Sequence, residues 1–578
     1  MSDEPFLSDD RGPRQNSPAI ERPFPVRGGN RVTPLVLSAD MYPDLERLVL
    51  DAESTVYLAF RVFDPDTIAR SEEARNKGLA NWTAILRHAV ERGLTVRLLL
   101  TDFEPTIAHA LHSGSWQTFR TLAAMAATLD EVARDRFEMI IAQHPGEVGW
   151  VTRQLLRLPM GFVIRRVLSG LQGTDAELEK QVDVRPGLWR YHHMRGGRAR
   201  FRRGPAPRLW PATHHHKFAV VDGRIAIIGG IDINERRWET RRYAQPADES
   251  WHDVSARLEG PAAGDAAEHF RRLWNHELPR YIEITRHWMT NAERELTVEP
   301  LDLIEGGRAD PVCPLPGGAA RVQVLRTLSR RSRNAFAVGP APHIRELMRG
   351  YRSMIFAARN LLYIEAQFFR YRRAARWIVE QARRQPSLRI IILLPQAPDD
   401  VAYGGQRNNP AHRHGEYLQS RALQHMKRHL GDRVGLFSLA KKSALSDDER
   451  KFVADRGAVF GSGMIYVHSK LMIADDRLAL VSSANMNNRS FAWDSEFGLL
   501  WEDPDGVADM RRRLWGQLLE CAPEAAPSLD DALPHWQQTA NSNILVPPPE
   551  RSGFIVPYQL TRARRFGRPA WFVPDDLV

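Results

Sequence analysis

Segments with helical spacing alternate with short apolar runs along most of the chain. Residues 42–52 (YPDLERLVLDA) and 81–93 (NWTAILRHAVERG) carry apolar positions three and four residues apart, as amphipathic helices do. The runs at 55–64 (TVYLAFRVFD) and 94–102 (LTVRLLLTD) are rich in aliphatic residues and predict buried strands. This alternation predicts an α/β fold in which helices cover a largely buried sheet.

The same succession returns in the second half of the chain. A helical pattern at 343–358 precedes a strand-like run at 361–369, and a second helix–strand pair follows at 373–385 and 388–395. The repeat predicts two similar α/β/α sandwich domains that form a pseudo-twofold pair with one active site at their interface. We expect the first domain at 36–305, with an insertion at about 103–210, and the second at 321–545.

Composition changes at the two ends and in the middle of the chain. The Gly/Pro-rich residues 306–320 predict a linker between the two domains. Residues 1–35 and 546–578 are Pro-rich and polar, which predicts a disordered N-terminal arm and a weakly ordered C-terminal tail.

A polar motif is duplicated within this repeat. THHHKFAVVD (213–222) has a counterpart in YVHSKLMIAD (466–475), and seven pairs of positions share an offset of 253 residues. The pairs are His215/His468, Lys217/Lys470, Asp222/Asp475, Gly229/Ser482, Gly230/Ser483, Asn234/Asn487 and Arg236/Arg489. Chance does not produce such agreement, so the two copies are expected to act together.

The motif suits chemistry on a phosphate. Because side chains alternate along a strand, His215 and Lys217 face one side, and the corresponding pair in the second copy does the same. The lysine can neutralise anionic oxygens while the imidazole attacks or carries a proton. The small residues Gly230 and Ser483 allow close approach of an anion, and Asn485 adds an amide donor. Two such copies facing each other are suited to a phosphodiester.

The pattern H-x-K-x(4)-D, present twice and followed each time by a small pair, resembles the phospholipase D superfamily. Segments GGIDINERRWET, WHDVSARLEGPAA, YIEAQFF and DSEFGLLWE resemble its lipid-acting members. The resemblance implies a reaction through a covalent phosphohistidine without metal or cofactor. The roles it implies are His215 as nucleophile, His468 as general acid, Lys217, Lys470 and Asn485 as phosphate ligands, Asp253 and Glu496 as orienting acids, and Asp222 and Asp475 as structural residues.

Three positions depart from the family pattern. Ser482–Ser483 stands where Gly-Ser is common, and Asp232 occupies the place that Asn485 holds in the other copy. Ala366 in YIEAQFF replaces an asparagine of many relatives, so any contact made by that amide is lost.

Simpler interpretations compete with these assignments. THHHK alone is typical of a strand with solvated or core histidines, and His214 and His216 keep that interpretation. A zinc site would need further ligands, and no acidic residue or cysteine stands at a recognisable spacing. The sequence therefore predicts no metal.

A basic amphipathic segment at 151–173 precedes the first motif. Its leucines and Phe162 are interspersed with arginines, and Pro159 and Gly161 predict a break or kink. The segment could lie on an anionic membrane interface or pack on the core with a solvated arginine face. Trp150 and Trp210 at its flanks suit interfacial anchors or ordinary core equally. The arginine run at 326–336 could edge the cleft or simply be solvated.

The net charge and the cysteine content limit the kinds of binding partner and of fold. A net charge of +10 favours anionic partners, and only eight lysines are present, two of them in the motifs. Two cysteines exclude a disulfide scaffold. The polar, acidic N-terminus resembles no secretory signal, and no apolar run is long enough to span a bilayer. We expect a cytoplasmic or peripheral membrane protein, with non-classical export left open.

The sequence predicts a phospholipase D-type phosphodiesterase that releases phosphatidate and a headgroup alcohol from glycerophospholipids, with transfer to an alcohol as a second outcome. A cardiolipin synthase-like phosphatidyltransferase is the nearest alternative, since it differs in the acceptor and not in the site. A metal-independent nuclease and a non-catalytic lipid-binding protein also remain open.

Overall fold

A computed structural model describes residues 6–7, 22–202, 204, 206–288, 303–305, 312–453 and 456–578. Nineteen of its strands are joined by hydrogen bonds into one sheet system, and a separate two-stranded ribbon lies in the first half. The α/β class is confirmed.

The first half contains ten strands and eight helices among its described residues. The strands are β1 Arg27–Val36, β2 Thr55–Phe60, β3 Thr95–Asp102, β4 Phe137–Gln143, β5 His192–Met194, β6 Ala199–Phe201, β7 Lys217–Val221, β8 Ile225–Gly229, β9 Trp251–His252 and β10 Val254–Glu259. The helices are α1 Ser38–Asp51, α2 Glu72–Asn76, α3 Trp82–Glu91, α4 His109–Ala126, α5 Glu131–Arg134, α6 Trp150–Ser169, α7 Asp175–Asp183 and α8 Pro261–Trp288.

The second half follows the same plan. Its strands are β11 Ala320–Arg330, β12 Ala341–Arg345, β13 Leu361–Ala366, β14 Arg389–Leu393, β15 Val434–Ala444, β16 Ala458–Val459, β17 Ser462–Val467, β18 Lys470–Ala474, β19 Leu478–Ser482, β20 Glu496–Glu502 and β21 Ile555–Pro557. Its helices are α9 Glu346–Ala357, α10 Arg372–Arg384, α11 Asp399–Ala402, α12 Pro410–Leu430, α13 Asn488–Ala492, α14 Pro504–Leu519, α15 Ala532–Asn543 and α16 Leu560–Phe566.

The two halves repeat one strand order. In the first half the order is β1-β10-β8-β7-β2-β3-β4, and in the second it is β11-β20-β19-β18-β13-β14-β15. In each half the last three strands are parallel and the others antiparallel. Antiparallel pairing of β1 with β11 joins the halves, and one apolar core extends through both. This arrangement agrees with the predicted pair of domains.

The predicted ends of the chain need correction. Residues 27–35, expected in a disordered arm, form most of β1, whose residues 31–36 pair with β10 and whose first residues pair with β11. Residues 546–578, expected as a weakly ordered tail, include β21 against β15 and the helix α16. Both strands gain order from backbone pairing with distant segments, which local composition does not reveal. Residues 1–5 and 8–21 of the predicted arm lie outside the described residues.

The predicted insertion also begins too early. Residues 103–143 hold α4, α5 and β4, and β4 pairs in parallel with β3 as an integral strand of the sheet. The true addition to the repeated plan is the stretch from about 144 to 210. The predicted linker lies partly outside the described residues, and its last residue, Ala320, already belongs to β11.

Of the predicted break or kink at Pro159 and Gly161, the break is wrong, because α6 runs without interruption from Trp150 to Ser169, and the kink stays a prediction. Pro159 has no amide hydrogen to donate to the carbonyl of Leu155, and Leu155 is 72% exposed on the outer side of the helix. Arg326, the first residue of the predicted solvated run, is also corrected: it is fully buried and ion-paired with Glu346. Within the described ranges, none of the helices is long and apolar enough to cross a bilayer.

Candidate active site

The two motif histidines lie just before equivalent strands. Strand β7 begins at Lys217 and β18 at Lys470, so His215 and His468 precede their strands by two residues. The backbone amide of His215 donates to Ser495 in the second half, and that of His468 donates to His252 in the first. Each histidine is therefore fixed against the other half of the chain.

The side chains repeat this reciprocity. His215 Nδ1 lies 2.9 Å from Glu496 Oε2, and His468 Nδ1 lies 2.6 Å from Asp253 Oδ2. All four side chains are buried. The two predicted His–carboxyl pairs are thus present, and each bridges the two halves, so that neither half alone contains a complete pair.

A backbone carbonyl favours one tautomer of the His215 imidazole. His215 Nδ1 also lies 3.1 Å from the carbonyl oxygen of Ser483, which can only accept a hydrogen bond. A proton on Nδ1 would satisfy both this carbonyl and Glu496, and in that neutral tautomer Nε2 keeps its lone pair. The ring presents a nucleophilic nitrogen on the side opposite Glu496.

Two buried lysines accompany the histidines. Lys217 Nζ lies 3.2 Å from the carbonyl oxygen of His215 and 3.7 Å from Asp232. Lys470 Nζ donates to the carbonyl of His468 and lies 3.3 Å from Gln367 Oε1. Both ammonium groups are at most 2% exposed, so an anion that reached them would meet positive charge in a poorly screened environment.

Gln367 is a site residue that sequence reasoning missed. Its Oε1 accepts from Lys470 and, at 3.1 Å, from Asn485 Nδ2. Its own amide donates to the Tyr466 hydroxyl. The available signal was its position directly after β13 in YIEAQFF, beside the Ala366 that departs from the family pattern. Gln367 thus supplies a side-chain amide one residue after the position at which many relatives carry asparagine.

The predicted small residues lie against the orienting acids. The Ser483 hydroxyl donates to Glu496, so its one proton is already engaged within the protein. A Cβ on Gly230 would come within 2.4 Å of Asp253 Oδ1, so glycine here leaves room for that carboxylate. A phosphate-binding role for Ser483 and Gly230 stays a prediction.

The two motif aspartates bind backbone amides and hold the ends of the motif strands. Asp222 accepts the backbone amides of residues 53–55, and Asp475 accepts those of residues 359–361. Each carboxylate joins the end of a motif strand to the start of its neighbour in the sheet. Burial would raise the pKa of Asp222, but these hydrogen bonds outweigh it and hold the pKa below its usual value.

Burial dominates the electrostatics of the site. It lowers the pKa of both His215 and His468 well below the usual value, and the charges of Lys217 and Lys470 lower it further. Burial also lowers the pKa of Lys470 to about 7 and raises that of Asp253 to about 6. Without an anion, the site thus disfavours imidazolium. A phosphate between the lysines would offset their charge and favour a proton on a histidine.

Two arginines extend the positive field, and the sequence analysis had not singled them out. Arg61 follows β2 and lowers the pKa of His215, while Arg237 lowers that of His468. The Arg237 guanidinium stacks 3.5 Å over the ring of Trp251, whose ring centroid lies 5.2 Å from that of His468. The sequence could have indicated both residues by their positions, because Arg61 directly follows an apolar run and Arg237 follows the first copy of the motif.

The remaining two histidines of THHHK face away from this cleft. The rings of His214 and His216 stack with centroids 6.0 Å apart, and they continue into a buried group with His144 and His269. All four are at most 2% exposed. Among the residues that the structure describes, no group of three or more His, Cys, Asp or Glu side chains has the geometry to hold a metal ion.

Comparison with known proteins bears on the family. The family model described as "Cardiolipin synthase, PLD-like domain" matches residues 351–517, which include the second motif copy. Mouse phospholipase D1 is 27% identical over 293 residues, covering 46% of this chain and 25% of that protein. Bovine phospholipase D2 is 25% identical over 447 residues, covering 58% of this chain and 45% of that protein. The second half of the chain thus carries a PLD-like domain, and about half of the chain is similar to phospholipases D.

Two further matches extend the comparison. Phospholipase D1 of Saccharomyces cerevisiae is 24% identical over 474 residues, or 66% of this chain and 26% of that protein. This chain thus spans between a quarter and a half of the length of these relatives. The crystal structure of phosphatidylserine synthase from Haemophilus influenzae Rd KW20 aligns with 91% of this chain and 97% of that one, at 14% identity and a TM-score of 0.47.

Proposed function

We propose that the cleft between the two motif copies cleaves the distal phosphodiester bond of glycerophospholipids and yields phosphatidate and the headgroup alcohol. The observation that carries the proposal is the pair of His–carboxyl contacts, each made between the two halves and each beside a buried lysine. Similarity to relatives named phospholipases D supports a phospholipid substrate.

In the first step, His215 Nε2 attacks phosphorus. A P–N bond forms, the bond from phosphorus to the headgroup oxygen breaks, and the bonding electrons go to that oxygen. His468 donates its Nε2 proton to the departing oxygen, which leaves as an alcohol. The Nδ1 proton of His215 stays directed at Glu496, which stabilises the positive ring of the phosphohistidine.

In the second step, water attacks phosphorus, and His468 now accepts a proton from it. The P–N bond breaks, its electrons return to His215 Nε2, and phosphatidate is released. An alcohol in place of water would give a new phosphatidyl ester by the same route. Lys217, Lys470 and Asn485 would bind the phosphate oxygens in both steps, while Asp253 holds the ring of His468.

The experiment is product analysis by mass spectrometry. Purified protein is incubated with vesicles of phosphatidylcholine, phosphatidylethanolamine and phosphatidylglycerol, in EDTA and with ethanol present. We expect phosphatidate and phosphatidylethanol from the wild type and neither from His215→Asn. His193→Asn, which changes an exposed histidine, is the matched control and should keep full activity. Unchanged lipids in the presence of bound vesicles would refute the proposal, and oligonucleotide cleavage would then be tested.

A phosphatidyl transfer that uses a lipid acceptor is the second candidate. It is favoured by the description of the matching family model, which names cardiolipin synthase. The same incubation separates the two, because transfer between two phosphatidylglycerol molecules would give cardiolipin and free glycerol. Cardiolipin in excess of phosphatidate would assign transfer as the main reaction, whereas phosphatidate alone would assign hydrolysis.

A further inference from the structure

The helix α6 has two apolar faces, and only one of them is covered by protein. Met160, Ile164 and Leu168, four residues apart, are buried. Leu155, Leu158 and Phe162, at spacings of three and four, lie on the opposite side of the helix and are 72%, 78% and 70% exposed. A helix packed only on its own core would carry polar residues on that outer side.

A loop from the second half contacts the start of this helix and exposes further apolar side chains. The amides of Gly149 and Val151, at the start of α6, donate to the carbonyls of Ala337 and Ala335. The loop at that contact carries Phe336, 66% exposed, and Val338, 49% exposed. Trp150 in the first turn of α6 is 59% exposed. These six side chains, Trp150, Leu155, Leu158, Phe162, Phe336 and Val338, form what we call the apolar platform.

The charge around the platform is positive. Arg165 and Arg166 are exposed next to Phe162, and Arg331 and Arg333 are exposed beside Phe336. Neither 150–173 nor 321–345 contains an aspartate or glutamate. The nearby Glu147 is buried and ion-paired with three arginines, among them Arg331. Exposed aromatic and aliphatic groups ringed by arginine match the interface of an anionic bilayer.

The platform adjoins the segments that carry the site. The amide of Val148 donates to Leu209, six residues before His215. On the other side, Gly339 lies against the ring of Trp493, three residues before Glu496. A membrane at the platform would therefore lie beside the segments that carry His215 and Glu496, the two members of one His–carboxyl pair.

We propose that the apolar platform and its four arginines dock this protein on the surface of an anionic phospholipid bilayer. The proposal rests on the proposed function for its biological purpose, but the binding it describes does not depend on catalysis. Leucine and phenylalanine would enter the boundary between headgroups and acyl chains, and the arginines would contact anionic headgroups. The addition at 144–210 would then serve to bring the site to its lipid.

The test measures vesicle flotation with the inactive His215→Asn protein, so that no product alters the membrane. Vesicles contain phosphatidylcholine alone or with one third phosphatidylglycerol. Leu158→Ser/Phe162→Ser should lower partitioning to the anionic vesicles at least tenfold, since two large apolar groups leave the membrane. Arg165→Gln/Arg166→Gln should lower it about fivefold per arginine, and only on anionic vesicles. Val132→Ser/Leu545→Ser, which removes two exposed apolar groups elsewhere, should bind as the parent does.

Activity on a short-chain, monomeric phosphatidylglycerol separates this proposal from the proposed function. In the otherwise wild-type chain, the platform variants should keep that activity while losing activity on vesicles. Turnover of neither substrate by the wild type would refute the proposed function alone. Unchanged flotation of both platform variants would overturn the docking proposal, as would a concentration-dependent dimer in solution that Leu158→Ser/Phe162→Ser abolishes.

Discussion

The last residue of each motif is expected to hold the fold and not to take part in chemistry. Asp475 accepts the amides of Arg359, Asn360 and Leu361 at 2.6, 2.7 and 2.8 Å, and thereby ties the end of β18 to the start of β13. Asp475→Ala removes all three hydrogen bonds. The backbone at Asp475 has φ of 53°, a region that alanine adopts less readily than aspartate or asparagine.

The size of the effect follows from these contacts. A hydrogen bond to a charged group contributes about 1.5–3 kcal/mol when buried, but residues 359–360 are exposed and water can replace part of each bond. With about 1 kcal/mol for each of three bonds, Asp475→Ala should destabilise the protein by about 3 kcal/mol. For domains of about 150–250 residues this lowers Tm by roughly 6–12 °C.

The assay combines thermal unfolding, followed by circular dichroism at one scan rate, with steady-state kinetics at 25 °C. We expect the drop in Tm together with a kcat within about twofold of the wild type. Asp475→Asn, which keeps one acceptor oxygen and tolerates the same φ, should lose about half as much stability. A loss of kcat of more than about a hundredfold with Tm unchanged would refute the reasoning and place Asp475 in the chemistry.

Three further predictions concern the site and its surroundings. Asp253→Asn should lower kcat roughly 10²–10⁴-fold without a change in Tm, because an amide cannot hold the His468 ring in the same protonation state; an unchanged pH profile at full rate would contradict this. EDTA should leave activity unchanged, since lysines supply the charge that a metal would otherwise provide, and a loss restored by zinc would contradict it. Burial lowers the pKa of His144, His216 and His269 well below the usual value. Below about pH 6.5 these rings take up protons when the protein unfolds, so the free energy of unfolding should fall by up to about 1.4 kcal/mol per pH unit for each ring. Tm should therefore fall steeply from pH 6.5 to 5, and a Tm that does not change with pH would contradict this.

Much of the fold could be predicted because its elements are local. The helix at 81–93 and the strand at 94–102 have apolar patterns that correspond closely to α3 and β3. The strands β1 and β21 escaped prediction, since they owe their order to pairing with partners more than a hundred residues away. The continuity of α6 through Pro159 could not be predicted, because proline ends some helices and is tolerated within others, and the local pattern does not decide between the two.

For the site, the duplication carried most of the information. The offset of 253 residues predicts that His215 and His468 act together, and resemblance to the superfamily pointed to Asp253 and Glu496 as their partners. Gln367 escaped because its role arises from an amide placed between Lys470 and Asn485, which are distant in sequence. The second apolar face of α6 could not be told from a core face without knowing which side the protein covers.

The central claim is that His215 forms a covalent bond to phosphorus and that His468 moves the proton. The most direct measurement uses His468→Ala with a phosphatidyl ester of p-nitrophenol, an acidic leaving group that needs no proton donor. The first step should then proceed, while the second is slowed because water lacks its base. Peptide mass spectrometry after an alkaline quench should find a phosphatidyl group on His215, with one equivalent of p-nitrophenol released per site. An adduct on another residue, or rapid release of p-nitrophenol by His215→Asn/His468→Ala, would contradict the account.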